Sequence, residues 1–240
     1  DSKVDSNGHI VLGCSHIYSS SGEGLKFKLA RISNDKIQWR HRKPHLCYDD
    51  AYEFGKNIIE LFYESMNELP KRVVIHKRTY FTEEEKQGII DSISDNNKIE
   101  SIDLIEINFE DNIKYTSSKI VEGKACVDGF SVSRGSCILL NSKEALLWAH
   151  GVVPSVRNPN FSFYPGGRYI PKPLRIIKHY GVGSLEQIAN EILGLTKMNW
   201  NSLNMYSQLP ATICSSNDIA RIGKLIDSNS KHEYDYRYFI

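Results

Sequence analysis

Between Gly151 and Tyr180 the chain carries five basic residues, Arg157, Arg168, Lys172, Arg175 and Lys178, and no aspartate or glutamate. Cations without interspersed acids can hold phosphate oxygens, and each phosphate neutralised also releases condensed counterions. The same pattern suits a solvated basic loop, and charge alone does not choose between the two. From Asp91 to Asp111 the balance reverses and acids dominate. The formal net charge is only +1 at pH 7, a poor global signature for a nucleic-acid binder, so any such surface has to be local. Other reactive side chains are isolated. His16 and His76 fall on expected strands, where a lone histidine is more often a satisfied core or edge residue than a metal ligand or general base. Cys14 stands beside Ser15, but no Cys–His–Asn or Ser–His–Asp set is visible.

The elements that must position these residues can be read from periodicity. The chain has 240 residues with 40% hydrophobic and 25% charged, an ordinary globular composition. Cys14, Cys47, Cys126, Cys137 and Cys214 are scattered, with no CxxC pair, which points to free thiols in a reducing cytoplasm. No apolar run approaches the roughly 18–20 residues of a membrane span, and no N-terminal stretch has the order of a signal peptide. Residues 10–19, 25–33 and 37–41 alternate as strands with turns between them, so a three-stranded antiparallel meander is expected. Pro44 should end it. Asp49 or Asp50 then caps a helix to about Leu69, with Ala51, Gly55, Ile58, Ile59, Phe62 and Met66 on one face. Val73–Ile75 reads as a strand buried on both faces. Thr82 and Glu85 have capping-box spacing for a helix through about Ser94, and Ile102, Leu104 and Ile107 mark another strand. Further on, 136–140 is an expected strand and 144–150 a strand or short helix. Ser184 and Gln187 open a helix through about Leu195, and a last helix is expected over 217–226.

Meander first and crossovers afterward is the connectivity of a ribonuclease-H-like fold. The expectation is a single α/β domain over 1–240, with a mixed sheet and flanking helices.

Several stretches resemble the PIWI domain of Argonautes, in the same order. They are Arg-Val-Val-Ile-His-Lys at 72–77 with Phe-Thr-Glu-Glu-Glu at 81–85, Arg-Gly-Ser at 134–136 and Glu-Ala-Leu-Leu-Trp-Ala-His-Gly at 144–151. The series continues with Gly-Gly-Arg-Tyr-Ile-Pro-Lys-Pro-Leu-Arg-Ile at 166–176, Leu-Thr-Lys-Met-Asn-Trp-Asn-Ser at 195–202, Leu-Pro-Ala-Thr-Ile at 209–213 and the ending Tyr-Asp-Tyr-Arg-Tyr-Phe-Ile. The resemblance is to the short prokaryotic, slicing-deficient type. A MID domain normally precedes PIWI; none is expected within these 240 residues, so the resemblance implies either half of a longer protein or a remainder that is not in this chain.

Slicing Argonautes use clustered carboxylates to bind two divalent cations that activate water and stabilise the leaving oxygen. Where the resemblance places those carboxylates, this chain has Ser15, Lys77 and Asn217. A hydroxyl, an ammonium and an amide cannot hold a pair of hard cations. A one-residue shift restores no acid near Ser15 or Lys77, because 12–21 and 73–81 contain none. The resemblance therefore implies guide-directed binding without catalysis, with an RNA guide and a single-stranded DNA target. The alternative is an active guide-dependent nuclease. Phosphate contacts are expected from Arg134, Arg168, Lys172, Arg175, Lys178 and Lys197. Plain alternatives are a turn for Arg134 and a solvated helix end for Lys197. The carboxylate of Ile240 is expected to hold Mg2+ at the guide 5′ phosphate, unless it belongs to a hydrophobic tail docked in a groove. The implied partner carries a PAZ-like region and an effector, TIR or sirtuin-like, that acts in defence against invading DNA.

Overall fold

The computed structural model describes residues 2–4, 10–14, 26–32, 36–41, 43–96, 98–116, 118–127, 132–153, 171–198, 207–223 and 233–235. For 2–4, 10–14, 26–31, 119, 127, 222, 223 and 233–235 it describes the backbone alone. The chain divides into two compact units: 1–106 with 178–183 and 211–240, and 107–177 with 184–210.

The first unit opens with β1 (Ser2–Val4), β2 (Ile10–Cys14) and β3 (Lys26–Ile32). They pair antiparallel, with Ile10 opposite Ile32 and Cys14 opposite Lys28. The expected third meander strand does form, as β4 (Gln38–Arg40), but it does not join β3. It pairs with β5 (Lys43–His45) in a separate ribbon, with Trp39 opposite Pro44. Pro44 thus lies inside a strand instead of ending one, which a two-stranded ribbon allows because it is edge on both sides.

Helix α1 (Tyr48–Met66) follows. Its N-cap is Cys47 and carries no side-chain cap bond, whereas Asp49 and Asp50, the expected caps, sit in the first turn. There their charge still favours the positive helix end. Asn67 closes the helix in the left-handed region, at φ 56°, with its N–H on Tyr63 O. β6 (Arg72–Lys77) runs parallel to β7 (Ser101–Phe109), and Ile102–Ile105 are all buried, as a strand covered on both faces requires.

Between them lies α2 (Glu83–Ser94), with the complete capping box anticipated from Thr82 and Glu85. Ala51 and Ile59 of α1 pack with Val73, Phe81, Ile89, Ile93, Ile102 and Leu104 as this unit's core. The helices approach closely at Gly88, where an added Cβ would lie 2.5 Å from the Tyr48 carbonyl oxygen.

The second unit holds the hairpin β8 (Ser118–Val121) and β9 (Lys124–Val127), β10 (Cys137–Leu139) and β11 (Glu144–Leu147). β11 settles the strand-or-helix choice at 144–150 as a strand. β12 (Leu174–Tyr180) pairs antiparallel with β11, Glu144 opposite Ile177. α3 (Leu185–Leu195) is capped by Ser184, whose hydroxyl accepts from the Gln187 N–H. Trp148 is buried, and its indole N–H donates to Pro171 O at 3.2 Å.

Back in the first unit, α4 (Ala211–Gly223) begins six residues before the expected Asn217 and packs on β1, β2, β3 and β6. β13 (Glu233–Asp235) lies beside β3. The larger sheet has the order β10-β11-β12-β7-β6 and is mixed. The architecture is the ribonuclease-H-like (PIWI) class of mixed sheet with flanking helices. No described helix is long and apolar enough to cross a membrane.

Gly88 separates two effects of opposite sign. Alanine in a helix gains up to ~1 kcal/mol over glycine, but forcing a methyl against backbone costs about 1–3 kcal/mol. Gly88→Ala is therefore expected to lower the midpoint of denaturant unfolding; a raised midpoint would show that α1 and α2 do not meet there.

Candidate functional site

The end of β6 is where the sequence placed a missing carboxylate. Lys77 closes the strand, and its ammonium meets both carboxylate oxygens of Glu85, at 2.6 and 2.7 Å. Glu85 also accepts from the backbone N–H of Leu46 at 2.8 Å and of Thr82 at 3.0 Å. His45 Nδ1 lies 3.2 Å from Glu85 and 3.4 Å from Lys77 Nζ. Lysine only donates, so one nitrogen cannot both accept from it and donate to the carboxylate. Proton placement on Nδ1 gives Glu85 another donor and leaves His45 Nε2 as a bare acceptor, buried with no hydrogen-bond partner among the described residues.

The Glu85 and His45 side chains are 2% and 0% exposed, and that of Lys77 25%. Burial pushes the Glu85 carboxyl up, but the Lys77 ammonium and the two backbone N–H groups outweigh it and hold the group below the usual carboxylate range. Burial lowers Lys77, against the pull of Glu85. Burial also lowers His45 in spite of its contact with Glu85, which keeps the ring neutral. The result is a buried ion pair with a neutral imidazole, built on the same glutamate that completes the α2 cap.

His76 precedes Lys77 and leaves the strand on the other face. Its Nδ1 lies 2.9 Å from Thr212 Oγ1 on α4. Arg78 follows the strand; burial lowers its guanidinium, and the Cys214 thiol on α4 acts against that. Thus β6 turns His76 toward α4 and Lys77 toward α2. Asn217 is exposed on α4. Five residues beyond Thr212, it lies about 140° around the helix from the residue that meets β6. Ser15 and His16 lie outside the described residues.

The basic stretch is free of acids in sequence but not in space. Lys172 is exposed and pairs with Asp111 at 2.6 Å. Arg175 meets Glu144 at 2.9 Å and Glu110 at 3.4 Å. The β11–β12 register causes the first contact: Glu144 faces Ile177, so Arg175 is its diagonal neighbour on the same face. Lys178 donates to Gly183 O at 2.8 Å, and with odd spacing from Arg175 it lies on the other face of β12. Arg134 donates to Thr196 Oγ1 at 2.5 Å and Leu193 O at 3.2 Å, at the carbonyl end of α3, where a cation suits the helix dipole. Lys197, next to Thr196, is exposed, so Arg134 and Lys197 share one end of α3. Arg168 and Ile240 lie outside the described residues. Sequence reasoning missed Glu110, Asp111 and Glu144 as partners, and the signal for Glu144 was the pairing register of two strands.

No protein-family model matches the chain, and no curated protein matches it. Solved structures do. A Clostridium butyricum Argonaute bound to a guide DNA and a 19-mer target DNA superposes with TM-score 0.60 at 19% identity, over 91% of this chain and 25% of that one. The fold is Argonaute-like. An Aquifex aeolicus Argonaute gives TM-score 0.59 at 18% identity over 97% of this chain. A Marinitoga piezophila Argonaute in complex with a 5′-OH guide RNA and target DNA gives 0.59 at 15% over 100%. The chain spans 27% and 30% of the length of those two Argonautes.

The Argonaute-like core should be sensitive to acid through the β6 site. A carboxyl held low in the fold contributes stability above its unfolded pKa and loses it as pH falls through the folded value. A histidine kept neutral costs stability once pH drops below its unfolded value of 6.5, because the unfolded chain then binds the proton. Unfolding midpoints are expected to fall as pH goes below 6.5, and His45→Gln to remove the first part of that loss. Glu85→Gln should cost about 3 kcal/mol at pH 7, the low end for a broken buried pair because Lys77 keeps some solvent. Flat stability from pH 7 to 5 in the parent protein would contradict this charge assignment.

Proposed function

We propose that this chain is the PIWI module of a guide-directed nucleic-acid-binding protein that does not cut its target. The observation that carries the reading is the end of β6, where Lys77 is committed to Glu85 and His76 turns to α4. Two-metal phosphodiester cleavage needs convergent carboxylates. An imidazole and an ammonium already paired with Glu85 do not supply them, and no step through such ions is assigned. Ser15 and Asn217 add a hydroxyl and an amide by sequence, which are no better as ligands.

The solved neighbours hold a guide DNA with target DNA in one case and a guide RNA with target DNA in another. That supports a guided duplex as ligand. RNA as guide and single-stranded DNA as target follow from the resemblance to short Argonautes. A partner with a PAZ-like region and a TIR or sirtuin-like effector completes the reading: guide-directed recognition would act on that partner, in defence against invading DNA.

The ion pairs rank the candidate phosphate ligands. Lys172 and Asp111 are exposed, and such pairs contribute about 0–1 kcal/mol. Lys172 can therefore exchange Asp111 for a phosphate at little cost, and Lys197 is equally accessible. Arg175 is held between two carboxylates, Arg134 is bound to α3 and Lys178 to a loop carbonyl. These three place the surface more than they supply it.

Incubation with guide, complementary target and Mg2+ or Mn2+ is expected to give binding without cleavage; cleavage abolished by a change in this chain would overturn the reading. Lys172→Glu should weaken binding at least about tenfold and flatten its salt dependence, with stability within about 0.5 kcal/mol of the parent. Unchanged binding in Lys172→Glu and Arg168→Glu alike would favour a protein-interaction scaffold instead.

A further inference from the structure

The ribbon of β4 and β5 carries a charge pattern that its own folding does not need. From Lys36 to Tyr48 there is no aspartate or glutamate, and Lys36, Arg40, Arg42 and Lys43 are cations. The root of the ribbon is anchored: Ile37 and His45 are buried, and Gln38 Nε2 donates to the Glu84 carboxylate on α2. The tip stands in solvent. Arg40, His41 and Lys43 are exposed there, and Trp39 keeps 49% of its surface open. A tryptophan left this exposed forgoes a large apolar burial. Arg40 lies directly opposite Lys43 in the register. Like charges so placed repel, and among the described residues no carboxylate pairs with either. Two cations held against each other, one residue from an open indole, suit a ligand that brings negative charge and a flat ring together. An acidic peptide answers the cations alone. A nucleic-acid strand answers both, with phosphates for the cations and a base for the ring.

We propose that the tip of the β4–β5 ribbon binds an unpaired stretch of a nucleic-acid strand, with one base stacked on Trp39 and neighbouring phosphates on Arg40 and Lys43. This rests on the chain being a nucleic-acid binder, and it adds a contact in the first unit, whereas Lys172 lies in the second. Side chains alternate along a strand, so Trp39 is on one face of the ribbon and Arg40 with Lys43 on the other. The ribbon is only two strands wide, and a strand crossing its edge meets both faces. A base inside a duplex has its faces covered by its neighbours, which is why the ligand here is unpaired.

The test loads the parent protein with guide and target strands in which one base at a time is replaced by photoreactive 5-iodouracil, irradiates the complex and locates the adduct by mass spectrometry. An adduct on Trp39 from one or two adjacent unpaired positions is expected, and it is read without any variant. Trp39→Leu should weaken strand binding about tenfold, while Trp39→Phe, which keeps a ring to stack on, should retain most of it. The double change Arg40→Gln with Lys43→Gln should weaken binding and flatten its salt dependence, with an unfolding midpoint equal to or above the parent's because the repulsion is gone. Adducts at other residues only, or unchanged affinity in Trp39→Leu and in the double variant, would overturn this site while leaving guided binding intact. Failure of the parent to bind any strand would overturn the nucleic-acid reading as well.

Discussion

The Glu85 carboxylate is the point on which the end of β6 depends. It is buried, so its charge is tolerable only because Lys77, two backbone N–H groups and His45 surround it. Each donor comes from a different place: Lys77 from the end of β6, His45 from the end of β5, Leu46 from the residues between β5 and α1, and Thr82 from the cap of α2. One side chain thereby fixes a strand end to a helix start and sets which way Lys77 points. Because side chains alternate along a strand, fixing Lys77 toward α2 commits His76 to α4. The electrostatic character of the α4 side is a consequence of that commitment.

Much of this fold could be read from local patterns, and the failures have a common cause. The α2 capping box was visible because its two residues are three apart. The α3 start was visible for the same reason, and β6 and β7 from their apolar runs. The placement of β13 beside β3 and the diversion of β4 into a ribbon with β5 are non-local pairings, which leave no mark in a window of ten residues. β12 is a different case. Its buried Leu174 and Ile176 alternate with half-exposed Arg175 and Ile177, but the two basic residues drew the reading toward a charged surface. The start of α4 was missed because Thr212, Ile213, Cys214, Ser215 and Ser216 are weak helix formers, held helical by packing against strands.

The candidate site was legible as composition and not as geometry. The lack of carboxylates at 73–81 was plain in the sequence. That Lys77 would be taken by Glu85 was not, since Glu85 already had a role as a capping residue and nothing announces a second one. The basic stretch shows the reverse error: an acid-free run of sequence acquired Glu110, Asp111 and Glu144 as neighbours once strands and loops were assembled. Counting charges along a chain says little about which are compensated. The exposure of Lys172 and the double pairing of Arg175 are what distinguish a proposed phosphate ligand from a brace.

The most direct measurement is a crystal structure of the protein with guide and target, grown with Mn2+ and read by anomalous scattering at the end of β6. An imidazole facing α4 and an ammonium turned to Glu85 predict no manganese peak between β6 and α4. Two manganese ions there, ligated by carboxylates of this chain, would contradict the charge arrangement and the non-cleaving function inferred from it.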